Sequence, residues 1–174
     1  MIKLTSITFK FDKFAIFNNF SLDIEDKSFL CVVGVSGAGK TTLLKLLLGL
    51  ERPESGEILI KGLCPTKARQ GGLFSYVPQQ PSLLPWLNVK QNIQLPVKIK
   101  SYKNSNDNIE SILDRVGLKD CSQKLPNQLS GGMQSRVALA RAWFDSSAQI
   151  LLLDESFSSL DELRREELGV LLNK

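Results

Sequence analysis

The stretch GVSGAGKT at residues 34–41 decides the fold of this chain. It satisfies the pattern G-x-x-x-x-G-K-[ST], in which a glycine-rich loop between a strand and a helix encloses phosphate groups. Gly37 and Gly39 let main-chain N–H groups and the helix N-terminus face the β- and γ-phosphates. Lys40 adds a positive charge, and Thr41 offers Mg²⁺ a hydroxyl oxygen. The predicted nucleotide contacts in this stretch are Gly34, Ser36, Gly37, Ala38, Gly39, Lys40, Thr41 and Thr42.

The sequence on either side of this loop predicts the strand and the helix that the pattern needs. Residues 29–33 are continuously apolar, as in a strand buried on both faces. A helix is predicted from Lys40, and Gly49 and Pro53 stop it. Upstream, residues 2–11 and 20–25 alternate apolar and polar side chains like half-buried strands, and residues 56–61 predict another short strand.

The downstream half predicts helices followed by one more strand. Residues 73–77 form a short apolar segment, and the prolines at positions 78, 81 and 85 forbid regular structure after it. Asn88 is predicted to cap a helix from Val89, and Asn106 or Asp107 the next helix. A helix opens at Gly131, residues 150–153 predict a buried strand, and Asp161 caps a final helix. The alternation of strands and helices predicts an α/β core with parallel strands.

Composition excludes several classes of protein. The chain has 174 residues, a net charge of +4, three cysteines and no histidine. The cysteines are widely spaced, so the sequence predicts neither a disulfide framework nor a zinc site. The scattered Lys and Arg residues predict a solvated surface without nucleic acid as a partner. No apolar run reaches the roughly 20 residues of a membrane-spanning helix, and we expect a cytoplasmic protein.

An acidic pair follows the predicted strand at residues 150–153. Asp154 comes directly after this apolar run, where a carboxylate can hold Mg²⁺ through water. Glu155 is the next residue and is placed to polarise an attacking water as a general base. The pair therefore supplies a second group that holds the metal, which a phosphate-binding loop does not supply by itself.

A third motif, LSGGM at residues 129–133, opens a helix with a serine and two glycines. With the other two motifs in this order, the chain strongly resembles the ABC ATPase family over essentially all its residues. The resemblance implies an α/β P-loop NTPase with a mixed central sheet, an N-terminal antiparallel β subdomain and an inserted helical subdomain. We expect one ATP-binding domain at residues 1–174, with the helical subdomain at residues 80–130.

The resemblance also implies roles for single residues. Phe11 matches the aromatic that stacks on adenine, although a phenylalanine of the core or a sheet edge is the alternative. Gln79 matches the glutamine that touches Mg²⁺ and links the nucleotide to the transmembrane subunit, with Gln80 as a rival. Lys40 and Gln79 thus join Glu155 as catalytic candidates. Nucleotide-binding roles are further implied for Ser130, Gly131, Gly132 and Asp161.

Partners follow from the same resemblance. ATP and Mg²⁺ are the implied ligands, and Ser130 and the two glycines after it contact nucleotide held by a second subunit in a head-to-tail homodimer. Transmembrane permease subunits, and through them a solute-binding protein, place the chain on the inner face of the cell membrane. The segment SLLPWLNV at residues 82–89 and Met133 are similar to nitrate, sulfonate and taurine importers. Trp86 in that segment either serves the permease contact or fills a local hydrophobic gap.

The chain departs from the family pattern beyond Asp161. Family members continue into another core strand that ends in a histidine contacting the γ-phosphate, and the sequence predicts a domain incomplete at its C-terminus. A chain that binds ATP and Mg²⁺ but hydrolyses ATP poorly is therefore one alternative. A soluble ABC ATPase acting on DNA or ribosomes is another, although the long insertions of such proteins do not occur here.

Overall fold

The computed structural model describes residues 1–100 and 108–154. The chain divides into two compact units, Met1–Phe74 and Ser75–Lys174. The first unit carries the glycine-rich loop, and the second carries the helices that precede the acidic pair.

The first unit is built on a three-stranded antiparallel sheet. Its strands are β1 (Ile2–Phe11), β2 (Phe14–Ile24) and β3 (Ser55–Ile60), in the order β2-β1-β3. Ile2 of β1 pairs with Ile24 on one side and with Ile60 on the other. Apolar side chains recur along β1 and β3, so that one face of the sheet contributes to the core of this unit. The buried residues on these strands are Ile2, Leu4, Ile7, Phe9, Ile58 and Ile60.

Two helices complete the first unit. Helix α1 (Lys40–Leu47) begins at the predicted residue and buries Leu43, Leu46 and Leu47. Gly49 then adopts a positive φ of 64°, a conformation that glycine supplies at a helix end. Helix α2 (Pro65–Gln70) starts at a proline. Proline is favourable there because main-chain N–H groups in the first turn have no acceptor within the helix.

The predicted strand at residues 29–33 is wrong. This segment forms no strand, and Phe29 and Val33 are 73% and 88% exposed. Continuous apolar composition indicates burial, but a strand also needs a neighbour that accepts and donates its main-chain hydrogen bonds. Within residues 1–100 and 108–154, no strand pairs with this segment.

The described residues of the second unit form a two-stranded sheet and three α-helices. Strands β4 (Phe74–Val77) and β5 (Ile150–Leu153) are neighbours, and Asp154 N–H donates to the carbonyl of Val77 at 3.0 Å. The helices are α3 (Val89–Lys100), α4 (Ile109–Arg115) and α5 (Gly131–Phe144). One core joins them, formed by Val89, Ile93, Ile112, Leu113, Val116, Leu118, Leu129, Val137, Ala140 and Phe144.

Side chains set the starts of the helices in the second unit. The Asn88 side chain accepts from Gln91 N–H at 2.8 Å, and the Gln91 side chain accepts from Asn88 N–H at 3.0 Å. This reciprocal pair confirms the predicted start of α3. Helix α4 is capped by Asn108, whose side chain accepts from Glu110 N–H at 3.0 Å. The predicted caps, Asn106 and Asp107, lie outside the described residues.

Among residues 1–100 and 108–154, no helix combines the length and the apolar character that spanning a bilayer requires.

Candidate nucleotide site

The glycine-rich loop has the backbone of a phosphate-binding turn. Gly37 and Gly39 have φ angles of 82° and 90°, in the left-handed region that glycine adopts without steric cost. Ala38 N–H donates to the carbonyl of Val35 at 3.2 Å and tightens the turn. Gly39 is the residue before the first turn of α1, so the loop leads directly into the helix N-terminus.

The space beside Gly39 admits no side chain. A Cβ atom at this position would lie 2.5 Å from Ile16 Cγ2 and 3.3 Å from Phe17 Cζ, and the first distance is too short for any real contact. Strand β2 therefore packs against the start of α1. This contact fixes the hairpin of β1 and β2 beside the loop within the first unit.

Lys40 folds back over its own loop. Its ε-ammonium donates to the carbonyl of Gly34 at 2.9 Å and to that of Val35 at 3.1 Å. The loop therefore holds a positive charge above its own main chain, where an anion can exchange these carbonyls for phosphate oxygens.

The loop amides fit the same ligand. Within the part of the chain that the structure describes, the N–H groups of Gly37 and Gly39 donate to no acceptor. Amides that converge on a helix N-terminus beside a lysine form a favourable site for a phosphate group. The side chain of Thr41, in the first turn of α1, is exposed.

Phe11 lies at the end of the hairpin of β1 and β2. It pairs with Phe14 next to the turn and is 67% exposed. The alternative of a core phenylalanine is therefore excluded, and Phe11 presents a ring to solvent in the unit that holds the loop. Phe14 is exposed as well, so exposure alone does not separate the two rings as stacking partners for a base.

Asp154 is a buried carboxylate at the end of β5. It is 4% exposed, and one of its oxygens accepts a hydrogen bond from the hydroxyl of Tyr76 at 3.4 Å. Burial raises the pKa of Tyr76, and the negative charge of Asp154 and this hydrogen bond raise it further. Tyr76 could not be singled out from the sequence, because residues 73–77 indicate only an apolar segment.

Gln79 follows the end of β4 by two residues. Because Val77 accepts from Asp154 N–H, the ends of β4 and β5 lie side by side, with Gln79 close along the chain. Gln80 stays the rival of Gln79 for this role. An amide oxygen and the carboxylate of Asp154 are both hard oxygen donors that suit Mg²⁺. Glu155 and Asp161 lie outside the described residues.

The LSGGM motif begins α5 as predicted. Ser130 is the capping residue, and its hydroxyl accepts from Met133 N–H at 3.3 Å. Leu129 is buried while Ser130 and Gly131 are exposed, so the apolar residue anchors the motif. A Cβ atom at Gly131 would meet nothing within 4 Å, which leaves open space above the start of the helix.

The loop at residues 82–88 is held by side chains that the sequence did not identify. Asn92 in α3 is fully buried, accepts from Leu84 N–H at 2.9 Å, and donates to the carbonyls of Leu84, Leu87 and Asn88. Arg141 in α5 donates to the carbonyl of Ser82 at 2.7 Å, and burial lowers its pKa. The loop is thus fastened to two helices while Trp86 is 71% exposed, which excludes a gap-filling role for this ring.

Comparisons with known proteins agree with these motifs. Residues 17–158 match the family model described as ABC transporter. The chain is 41% identical to the nitrate import ATP-binding protein of a Synechocystis strain over 86% of this chain and 56% of that protein. It is 38% identical to a spermidine/putrescine import ATP-binding protein of Thermotoga maritima, covering 99% and 47%, and 38% to an aliphatic sulfonates import ATP-binding protein of Burkholderia cenocepacia, covering 99% and 51%. The chain thus spans about half the length of these relatives.

A solved structure has the same fold. The dimeric post-hydrolysis state of an ATP-binding cassette bound to ADP and Pi superposes with a TM-score of 0.84 at 31% identity, covering 99% of this chain and 81% of that one. The predicted fold class, an α/β P-loop NTPase with mixed sheets and helices, is confirmed. The antiparallel sheet predicted for the N-terminal part is formed by β1, β2 and β3, and the helical subdomain at residues 80–130 stays a prediction.

Proposed function

The chain belongs to the ABC transporter family, and on that premise we propose that it binds ATP with Mg²⁺ and hydrolyses ATP to drive a membrane importer. The observation that carries the proposal is the loop at residues 34–41. Its positive-φ glycines, the amides of Gly37 and Gly39, which have no acceptor among the described residues, and the ammonium of Lys40 over the loop together match the chemistry of a triphosphate.

Phosphate binding, base stacking and metal binding are the proposed roles of these residues. In the first unit, the amides of Gly37 and Gly39 and the charge of Lys40 hold the phosphates, Phe11 stacks on the base, and Thr41 offers its hydroxyl to Mg²⁺. In the second unit, Asp154 and Gln79 are the proposed oxygen donors to Mg²⁺. The metal supplies charge that stabilises the phosphate oxygens during transfer. The remaining proposed contacts of the loop and the first turn are Gly34, Ser36, Ala38 and Thr42.

Water activation is the proposed role of Glu155. Its position in the chain, directly after the buried Asp154, supports this role, since a carboxylate there can accept a proton from water. We propose Asp161 as a further nucleotide contact on the family pattern alone.

A second copy of the chain is the proposed partner for the start of α5. Ser130, Gly131 and Gly132 form an open helix start without a lysine, and the loop at residues 34–41 forms a separate phosphate site that carries a lysine. When two chains are arranged head to tail, each nucleotide contacts the loop at residues 34–41 of one chain and the start of α5 of the other. The dimeric assembly named for the similar solved structure supports the pairing of two chains.

Permease subunits are the proposed membrane partners, which places the chain peripherally on the cytoplasmic face. The import functions in the names of the relatives support this part of the proposal. We keep the nitrate, sulfonate and taurine class as the solute, with a solute-binding protein as an indirect partner, on the likeness of residues 82–89. The identities of 41%, 38% and 38% do not separate this class from polyamines.

The experiment is reconstitution of the full-length protein with its membrane partners in liposomes. We expect phosphate release that requires Mg²⁺ and the permease, and that supports uptake of nitrate or a sulfonate. Uptake of spermidine instead would overturn the solute class alone. ATP binding without phosphate release, in the presence of permease and solute, would overturn hydrolysis.

A further inference from the structure

We propose that Tyr76 is a positioning residue for the magnesium ligand Asp154. The proposal rests on the proposed function, because it concerns the metal site assigned there. The two side chains come from neighbouring strands of one unit, Tyr76 from the middle of β4 and Asp154 from the residue after β5.

The geometry restrains Asp154 at its side chain and at its main chain. One of them, Oδ2, accepts the hydroxyl of Tyr76 at 3.4 Å, and the main-chain N–H of Asp154 is fixed by Val77 at 3.0 Å. A carboxylate held by its backbone on one side and by a phenol on the other has fewer rotamers to sample. The tyrosine thereby aims the carboxylate.

Burial makes this restraint consequential. Asp154 is 4% exposed, so little bulk water is available to replace a lost hydrogen bond. Side chains that hydrogen-bond to metal ligands typically change metal affinity by about 10-fold to 100-fold when removed. Because 3.4 Å is long for a hydroxyl donor, we expect an effect near the lower end of that range.

The neighbouring residue on β4 provides a matched control. The hydroxyl of Ser75 lies 3.5 Å from a carboxylate oxygen of Asp145 and serves a different acid of the same unit. Ser75→Ala and Tyr76→Phe therefore each remove one hydroxyl from the same strand, and only the second removes a partner of Asp154.

The experiment measures Mn²⁺ binding to the full-length protein with ATP by electron paramagnetic resonance. Tyr76→Phe is expected to weaken Mn²⁺ binding about 10-fold, with unchanged ATP affinity in EDTA and an unchanged melting temperature. Ser75→Ala is expected to bind Mn²⁺ like the wild type. In the Asp154→Asn background, Tyr76→Phe is expected to have no further effect.

Two results would overturn the inference while leaving the proposed function intact. One is wild-type Mn²⁺ affinity in the Tyr76→Phe variant. The other is a loss caused by Tyr76→Phe in the Asp154→Asn background that is as large as the loss it causes in the wild-type background. Wild-type Mn²⁺ affinity in Asp154→Asn itself has a different meaning. It would remove Asp154 from the proposed metal site and the role of Tyr76 with it.

Discussion

The ε-ammonium of Lys40 lies 2.9 Å from the carbonyl oxygen of Gly34, so the lysine bonds to the main chain of the loop in which it is expected to bind phosphate. The same interaction holds the ammonium over the loop and restrains the start of α1. A phosphate that enters the loop replaces neutral carbonyl acceptors with charged ones, which form stronger hydrogen bonds with an ammonium.

Lys40→Met is expected to weaken ATP binding by about 10-fold to 150-fold, the equivalent of a hydrogen bond to a charged group. Isothermal titration of ATP into the full-length protein measures the change. Lys45→Met is the control, because Lys45 lies in the last turn of the same helix and is exposed. Equal losses in the two variants would show that general charge, and not the position of Lys40, governs affinity.

Gly39→Ala is expected to destabilise the first unit more than Gly37→Ala. Both positions have positive φ, which costs a residue with a side chain about 1–2 kcal/mol. Only the methyl group at position 39 also meets Ile16, whereas a Cβ at Gly37 meets nothing within 4 Å. Urea unfolding measures both variants, and we expect Gly39→Ala to lose at least about 1 kcal/mol more. Equal losses would contradict the packing of β2 against the loop.

Lys100→Met is expected to destabilise the second unit through Asp145. Lys100 donates to Asp145 at 2.6 Å, and Asp145 is buried, so its carboxylate would lose its cationic partner. Breaking such a pair costs about 3 kcal/mol at neutral pH. Unfolding by urea at pH 7 measures the loss, and Lys98→Met, which removes an exposed lysine of the same helix, is the control.

The effect of Lys100→Met should depend on pH with a defined sign. Burial alone would raise the pKa of Asp145, but the hydrogen bonds from Lys100 and Ser147 outweigh it, and the pKa lies below its ordinary value of 3.8. The stabilisation is therefore complete above pH 3.8 and is lost as pH falls through the folded-state pKa. A difference between wild type and variant that stayed constant into strong acid would contradict this assignment.

Asn92→Ala is expected to release the loop at residues 82–88. The variant removes the acceptor of Leu84 N–H and the donor to three carbonyls, so the amide of Leu84 should exchange its hydrogen about 10-fold to 100-fold faster. Hydrogen exchange measured by NMR tests this, with Gln94→Ala in the same helix as control. Unchanged exchange at Leu84 would show that Arg141 and the prolines hold the loop without Asn92.

The bounds of helices and strands could be predicted where neighbouring residues in the sequence determine them. The bounds of β1 and the starts of α1 and α5 were confirmed, because alternation, the glycine loop and the serine cap are all local signals. The strand at residues 29–33 was wrong, since its pairing depends on neighbours that composition does not reveal. The cap of α4 is Asn108, in a stretch where several Asn and Asp residues compete for the same role.

In the candidate site, too, the residues of one continuous segment could be predicted and the contacts between distant segments could not. Lys40, Gly37 and Gly39 could be assigned from spacing alone, because the loop is one continuous segment. The contact between Tyr76 and Asp154 joins residues 78 positions apart, and nothing in the sequence pairs them. The role of Asn92 could not be predicted either, because the sequence of a helix does not indicate that one of its asparagines bonds to the preceding loop.

The most direct test of the central claim compares ATP, ADP and AMP in equilibrium titrations with Mg²⁺ and the full-length protein. A loop that holds the β- and γ-phosphates predicts tight binding of ATP, weaker binding of ADP, and a loss of at least about 100-fold for AMP, which lacks both of these groups. Equal affinity for the three nucleotides, or no binding of ATP to a folded sample, would contradict the assignment of residues 34–41 as a triphosphate site.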